Sequence, residues 1–540
     1  MKKINTPFLK IFGVVLLVLL SSCDFNKVSD AADDFRLIIG LEPIHTTPSV
    51  LITDATTGDL ISGNVTITFA GQNGADVIDI YSDPISQDEV SDGILNFGID
   101  NSLAPSESSP VKIQLILEAN GYQQKSRTII ITEEGSPDFY VKMLKENSGP
   151  YPDGIQKTTN TQGSAGNDGA IQENFVVESP SNQDGNGTSL EVPEGSVFLG
   201  ANGSPLRGSL RTELTYYNPS ADKVFELLPF ELTDNDGNPI QAAGVNTIRI
   251  MDENGNLATS LEAMSKQKAA SAGEISVSFS LPDGFKKPDG SSVKIGDEIF
   301  IFTFSHSFQL TEVVSETVEV LANGKTGVVF NTTTLPYAVV TGYALTELSA
   351  SCPAQLTIER NGNSGALIGS AYSTGFFVEV QIGSSNNEFT FIAPNAEVNI
   401  DIQTATTTHS VTANFCAQPN VTVNLPTPPP NIIDSSVNIT LGCAAPDEKI
   451  SITDLPAASV AYRKSSAAVG TPWRLAENLE WEYDEDEQAL TGVGFNITGV
   501  EQDEEYTFKV SFDGNTYQQD VAITGSSVTY EETINEDICQ

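Results

Sequence analysis

The chain has 540 residues, 39 % of them hydrophobic, and carries 27 Lys+Arg against 71 Asp+Glu for a formal net charge of −44. That apolar content supports packed cores rather than wholesale disorder, and the length suits about three to five domains. A field this negative repels nucleic acid and anionic lipid head groups, so nucleic acid is not an expected partner.

Taken in order, the chain begins with Lys2, Lys3 and Lys10, an apolar run from Ile11 to Leu20, and then Leu20-Ser21-Ser22-Cys23. A basic start, a short apolar run and small residues before a cut predict a secretory signal peptide over 1–22. The run is too short to span a bilayer as a mature helix. The cysteine directly after the small residues resembles the bacterial lipoprotein box, which implies that Cys23 becomes the lipidated first residue. Residues 23–45 read as a tether, with Asp30, Asp33 and Asp34. They resemble the surface-export signals of Bacteroidetes lipoproteins, although here the acids stand away from the cysteine.

Residues 46–145 alternate apolar and polar positions between turn residues, the pattern of a β-sandwich. Val50-Leu51-Ile52-Thr53-Asp54, the Thr57-Gly58 turn, and Val65, Ile67 and Phe69 lead into Val111–Glu118, Asn120-Gly121-Tyr122 and Thr128–Thr132. This stretch resembles carboxypeptidase-regulatory-like (transthyretin-like) domains, which implies a non-catalytic module. Residues 146–172, rich in Gly, Asn, Ser and Thr, read as a linker.

Residues 173–348 predict a larger β-sandwich. Leu190 and Val192 alternate, and Pro193-Glu194-Gly195 and Asn202-Gly203 make turns. Leu210, Thr212, Leu214 and Tyr216 alternate against Arg211, Glu213 and Thr215. The block resembles segments of large exported lipoproteins and of cartilage-intermediate-layer-type proteins. It is also similar to the self-cleaving domain of netrin receptors, whose His-x-Ser step is not matched by His306-Ser307-Phe308. Ser260–Ala270 predicts one short helix. Asn323-Gly324 predicts a hairpin turn, not a phosphate loop.

Residues 349–426 form a third β module, 427–433 a stiff Pro-rich linker, and 434–540 a C-terminal β-sandwich. The strand, Asn-x-Tyr-Gln-Gln and strand at 506–524 echo those at 111–132, so the two end modules are expected to be related. Tether, stacked modules and proline spacer together imply that the last module is carried far from the membrane. Besides Cys23, the cysteines are Cys352, Cys416, Cys443 and Cys539. Three pairings are open; Cys352–Cys416 and Cys443–Cys539 are favoured because each brackets one β segment.

Chemistry is sparse. His45, His306 and His409 are far apart, and neither a Gly-x-Ser-x-Gly elbow nor a His-Glu-x-x-His motif occurs, so an enzyme is not expected. Asp234, Asp236 and Asn238 offer oxygen ligands at alternate positions for Ca2+, whereas no close Cys-x-x-Cys or Cys/His spacing offers a zinc site. Turn chemistry explains the same residues, as it does at Asp252–Asn256. Trp473 and Trp481 are the candidate glycan contacts, with a core role as the competing assignment.

The expected fold class is therefore all-β, with tandem Ig-like or transthyretin-like sandwiches behind a lipoprotein signal peptide. The expected function is a non-catalytic, outer-membrane-anchored surface lipoprotein with a structural, adhesive or partner-docking role. The alternative is a carbohydrate-binding accessory lipoprotein of a glycan-uptake system. Partners are then the membrane through the lipid anchor, and a protein or a polysaccharide.

Overall fold

The computed structural model describes residues 44–540, apart from 80–81, 147–150, 181–185, 264–273, 347–350, 384–385, 444–458, 477–479, 485–488, 513–514, 535–540 and some side chains of the last strands. Cys23, the signal segment and residues 23–43 of the tether lie outside the described residues. Among the described residues, helical turns are confined to Gly74–Asp76 and Val224–Leu227, and the rest of the regular structure is β. The chain is a set of tandem β-sandwiches.

In the first sandwich, strand Val65–Ala70 buries Val65, Ile67 and Phe69 on one face, the period-two pattern of a sheet with one wet side. It lies in a four-stranded sheet ordered Gln87–Val90, Val65–Ala70, Val111–Ala119, Lys125–Ile131. Facing it is a three-stranded sheet of Ile94–Asn96, Ser49–Asp54 and Asp138–Met143, with Phe69, Phe97 and Leu115 in the core between. After the first strand, the Asp54 carboxylate accepts the Thr56 and Thr57 amides at 2.8 and 3.1 Å. Gly58 then takes φ 71°, where a side chain would be strained.

Two further sandwiches repeat this arrangement. The third packs Glu388–Ala393, Cys352–Glu359 and Asn420–Asn424 against Phe376–Ile382, Leu367–Ser373, Val398–Gln403 and Thr408–Ala413. The fourth packs Glu480–Asp484, Ala489–Glu501, Ile432–Cys443 and Ser527–Ile534 against Arg474–Leu475, Ser459–Lys464, Glu505–Phe512 and Asn515–Ala522. In all three, the opening strand pairs antiparallel on one side and parallel with the closing strand on the other. The same strand pairing is thus common to the two end modules and the third. The shared Tyr-Gln-Gln is shifted, however: Tyr517-Gln518-Gln519 lies inside its strand, whereas Gln123-Gln124 precedes Lys125–Ile131.

The second sandwich is larger. Its seven-stranded sheet runs Ile155–Asn160, Gly208–Tyr217, Ile240–Asp252, Ala338–Ala344, Glu298–Phe304, Leu310–Thr317, with Ser164–Ala165 pairing beside Gly208–Tyr217. Opposite lies a five-stranded sheet containing Thr188–Val192, Ile275–Ser280 and Thr326–Thr332. Two expectations change here. Residues 155–160 and 164–165, read as linker, are strands of this sheet, and their backbone groups are satisfied on Gly208–Tyr217. The helix expected over Ser260–Ala270 is replaced where described by strand Ala258–Ala263. Its ladder to Ser196–Gly200 supplies the backbone hydrogen bonds, and Leu261 enters the core. Residues 264–270 lie outside the described residues.

The sandwiches do not lie on an open string. Between third and fourth, Asn361 Nδ2 donates to Leu425 O at 2.9 Å and Asn363 Nδ2 to Pro426 O at 2.8 Å, pinning the start of the proline stretch. Ser364 Oγ reaches Asp434 at 2.6 Å. The fourth sandwich then returns to the first, which overturns the expected reach. Leu51, Leu60 and Ile94 share a core with Ala461, Trp473 and Leu475. Arg463 pairs with Asp59 at 2.8 Å, and the Gly470 amide donates to Thr57 O at 2.7 Å. Strand Ser49–Asp54 is consequently buried on both faces: Val50 and Ile52 enter their own core, and Leu51 enters the shared one. An uninterrupted Val50-Leu51-Ile52 is what a strand covered on both sides requires.

Candidate functional site

Closing the ring leaves a cavity of about 850 Å³ lined by all four sandwiches. Its walls are built around strand Lys125–Ile131, the edge of the first sandwich's four-stranded sheet. An exposed edge invites pairing with another chain. Here the second sandwich covers it: the Ser126 amide donates to Pro229 O at 2.7 Å, and the Thr128 amide to Glu231 Oε1 at 3.1 Å.

The same strand carries the charges that tie the ring. Lys125 is 8 % exposed and donates Nζ to the carbonyls of Glu226, at 2.9 Å, and Leu228. Burial, aided by the neighbouring Arg127 charge, pushes its ammonium down to about 8. Arg127 stands 3.2 Å from Glu231 of the second sandwich and 2.8 Å from Glu379 of the third. Burial opposes its charge, but Glu379, Glu231 and Glu226 outweigh that and keep it ionised. Lys142 pairs with Glu226 at 2.5 Å. These ions are joined across sandwich boundaries, so they act as ties. The apolar part of the lining includes Ile130, Phe230, Phe377 and Phe391.

A second, smaller cavity of about 290 Å³ lies between the third and fourth sandwiches. Trp473 lines it at 4 % exposure. Its ring has the Arg463 guanidinium at 4.6 Å and the Lys509 ammonium at 5.5 Å from the centroid. Trp473 is therefore not the outward sugar platform: Leu51 and Leu60 of the first sandwich help to bury it, and cations lie against its ring. Its Nε1 is buried without a hydrogen-bond partner, a deficit worth about 1–3 kcal/mol. Trp481 stands on strand Glu480–Asp484, and its side chain lies outside the described residues.

Other predicted residues fall as follows. Cys352 and Cys416 form a disulfide with Cα atoms 5.1 Å apart. Cys443 ends strand Ile432–Cys443; its side chain and Cys539 lie outside the described residues. Asp234 turns its carboxylate into its own loop, accepting the Asp236 and Asn238 amides at 2.9 and 2.8 Å and the Asn238 side chain. Asp252 does the same for Asn254 and Asn256. Among the described residues no group of three or more His, Cys, Asp or Glu is arranged to hold a metal ion. Asp234 thus caps its own turn. His306, half-buried after strand Glu298–Phe304, packs on Tyr337 at 5.4 Å; burial, then the Arg249 charge, lower its pKa.

Sequence reading passed over Lys125, Arg127 and the cations about Trp473. The available signal was scarcity: on so acidic a chain, a cation in a strand such as Lys125-Ser126-Arg127 stands out.

No protein-family model matches the chain, and no curated protein matches it. Among solved structures there is likeness to the Bacillus anthracis TIE protein, at 10 % identity over 91 % of this chain and 73 % of that one, with a TM-score of 0.14. A Bacteroides fragilis protein provisionally described as a cell adhesion protein gives 11 % identity, 48 % and 90 % coverage and a TM-score of 0.12. The N-terminal four Ig domains of Dscam1 isoform 4.44 give 8 % identity, 88 % and 98 % coverage and a TM-score of 0.08. The all-β sandwich assignment rests on the sheets described above.

Proposed function

We propose that this chain is a membrane-anchored surface lipoprotein of Bacteroidetes type with a non-catalytic structural, adhesive or partner-docking role. The observation that supports this best is the ring. A shared core at Leu51 and Trp473, and ions such as Arg127 bridging three sandwiches, tie the sandwiches into one compact unit. Such ties suit docking, because less is lost in ordering surfaces that are already held. The first sandwich, with its Asp54–Gly58 turn, supports the carboxypeptidase-regulatory-like reading of that module, a spacer rather than a catalyst. The anchor reading is carried by Leu20-Ser21-Ser22-Cys23.

Fractionating cells that express the wild type and Cys23→Ala tests the anchor. The wild type is expected in the outer-membrane fraction and accessible to antibody on intact cells, and the variant is expected in the soluble fraction. Membrane retention without Cys23 overturns the anchor. Turnover of any glycoside, peptide or phosphoester in a hydrolase screen overturns the non-catalytic role.

A further inference from the structure

The seven-stranded sheet ends at Leu310–Thr317, and among the described residues no strand pairs with the outward side of that strand. The Val318 amide donates to Asp297 O at 2.9 Å, and the register continues with Ile299 opposite Glu316, Ile301 opposite Val314 and Thr303 opposite Glu312. Alternation along an antiparallel ladder then turns the N–H and C=O groups of Glu312, Val314 and Glu316 toward the sheet. Those of Val313, Ser315 and Thr317 point away from it, and all three residues are exposed.

The side chains of this edge form two rows. On the face that carries Ile299 and Ile301 into the core stand Glu312, half-buried Val314 and Glu316. On the other face Val313 is 49 % exposed, diagonal to Phe300 at 39 %. Among the described residues neither Glu312 nor Glu316 has a cation paired with it, and burial, then the charge of Glu319, raises the Glu316 pKa. Charge on a β edge blocks a strand of like charge and admits one of opposite charge. The chain contains one such match already. Its basic edge Lys125–Ile131 gives amides to Pro229 O and Glu231, while Arg127 meets Glu231 and Glu379. A net charge of −44 disfavours a second copy of this chain as the occupant of an acidic edge.

We propose that Leu310–Thr317 is a docking edge for an extended basic segment of another protein, which joins the sheet as an antiparallel strand. Two lysines or arginines of that segment lie opposite Glu312 and Glu316, and an aliphatic residue midway between them lies opposite Val314. Its backbone pairs with Val313, Ser315 and Thr317. The inference rests on the partner-docking reading, to which it gives a surface, and does not depend on attachment at Cys23.

The test titrates the full mature chain into fluorescein-labelled Thr-Lys-Thr-Val-Val-Lys-Thr and follows anisotropy. Saturable binding with a Kd of about 0.1 mM is expected, weakening as salt is raised. Thr-Glu-Thr-Val-Val-Glu-Thr is expected not to bind. Ser315→Pro removes one outward N–H where an edge strand tolerates proline, and should weaken binding about tenfold with unchanged circular dichroism. Ser315→Ala should bind as the wild type does. Glu312→Gln combined with Glu316→Gln leaves the backbone ladder intact and should remove most of the salt dependence together with about tenfold in affinity. Light scattering over a range of concentrations should show a monomer; a dimer lost in Ser315→Pro assigns the edge to a second copy and overturns the basic partner. No binding of the lysine peptide, equal binding of the glutamate peptide, or unchanged affinity in Ser315→Pro or in the double glutamine variant also overturns it. Such failures remove this edge and leave the docking role standing, whereas turnover in the hydrolase screen removes that role whatever the peptide does.

Discussion

The two cavities share the same scarce resource, and differ in what stands beside it. In the larger, Arg127 and Lys142 each face carboxylates of another sandwich, and Lys125 faces carbonyls. In the smaller, Arg463 pairs with Asp59 of the first sandwich and also stands over the ring of Trp473, and Arg474 stands over that of Tyr462. Carboxylate partners neutralise a cation and fix the distance between modules, so the large cavity is a junction. In the small cavity, aromatic rings add cation–π contacts to the ion pairs of Arg463 with Asp59 and Lys464 with Glu501. Several of the chain's few cations, Arg127, Lys142 and Arg463 among them, stand where sandwiches meet.

The largest expected effect comes from opening the ring that creates both cavities. Leu51→Asp places a carboxylate in the core shared with Trp473 and Leu475, at a cost of roughly 4 kcal/mol. Small-angle scattering should show an increased radius of gyration while circular dichroism stays β-rich; an unchanged radius would mean that the fourth sandwich does not depend on this contact.

Next, Arg127→Met leaves Glu231 and Glu379 without their shared cation. Urea unfolding should show a loss of about 3 kcal/mol, and adding Glu231→Gln and Glu379→Gln should restore most of it. No recovery in the triple variant would show that the arginine stem, not its charge, makes the junction.

A subtler difference appears with pH. The Lys125 ammonium is depressed from 10.5 to about 8 by burial, so between those values the unfolded chain binds more protons than the folded one. Stability therefore rises with pH across that window, by at most about 1.4 kcal/mol per pH unit, and the penalty is fully present below it. Buried tyrosines such as Tyr216, raised by burial, act the other way above about pH 10, so the window to examine is roughly pH 8 to 9.5. Lys125→Met should flatten the rise in that window. Parallel pH curves for variant and wild type would sink the assignment.

The smallest effect is at a turn in the lining of the larger cavity. Asp234→Ala removes the acceptor of the Asp236 and Asn238 amides and should lower stability by about 1 kcal/mol. Calcium should leave the melting temperature unchanged in wild type and variant alike; a calcium-dependent rise confined to the wild type would restore the metal reading.

Local chemistry was largely legible. Alternation at Val65, Ile67 and Phe69 announces a strand with one buried face, and Asp54–Gly58 announces its own turn, because both depend on neighbours within a few residues. The Cys352–Cys416 pairing was legible because it brackets a single module. The seam between modules was harder to read. Leu51 looks like any apolar strand residue, and its burial partner Trp473 lies in another sandwich. The segment at 155–160 looks like linker because a polar edge strand and a loop share their composition.

What the sequence determined by itself is the all-β class, the strand-and-turn periodicity and the candidate anchor at Cys23, since each is written in short-range pattern. What only the tertiary structure decided is the closed ring, the burial of Trp473, the two cavities and the pairing of their cations. Those depend on contacts between residues hundreds of positions apart, such as Asp59 with Arg463. No local period encodes a contact of that range; it is set by which faces remain to be covered once each sandwich has formed its own core.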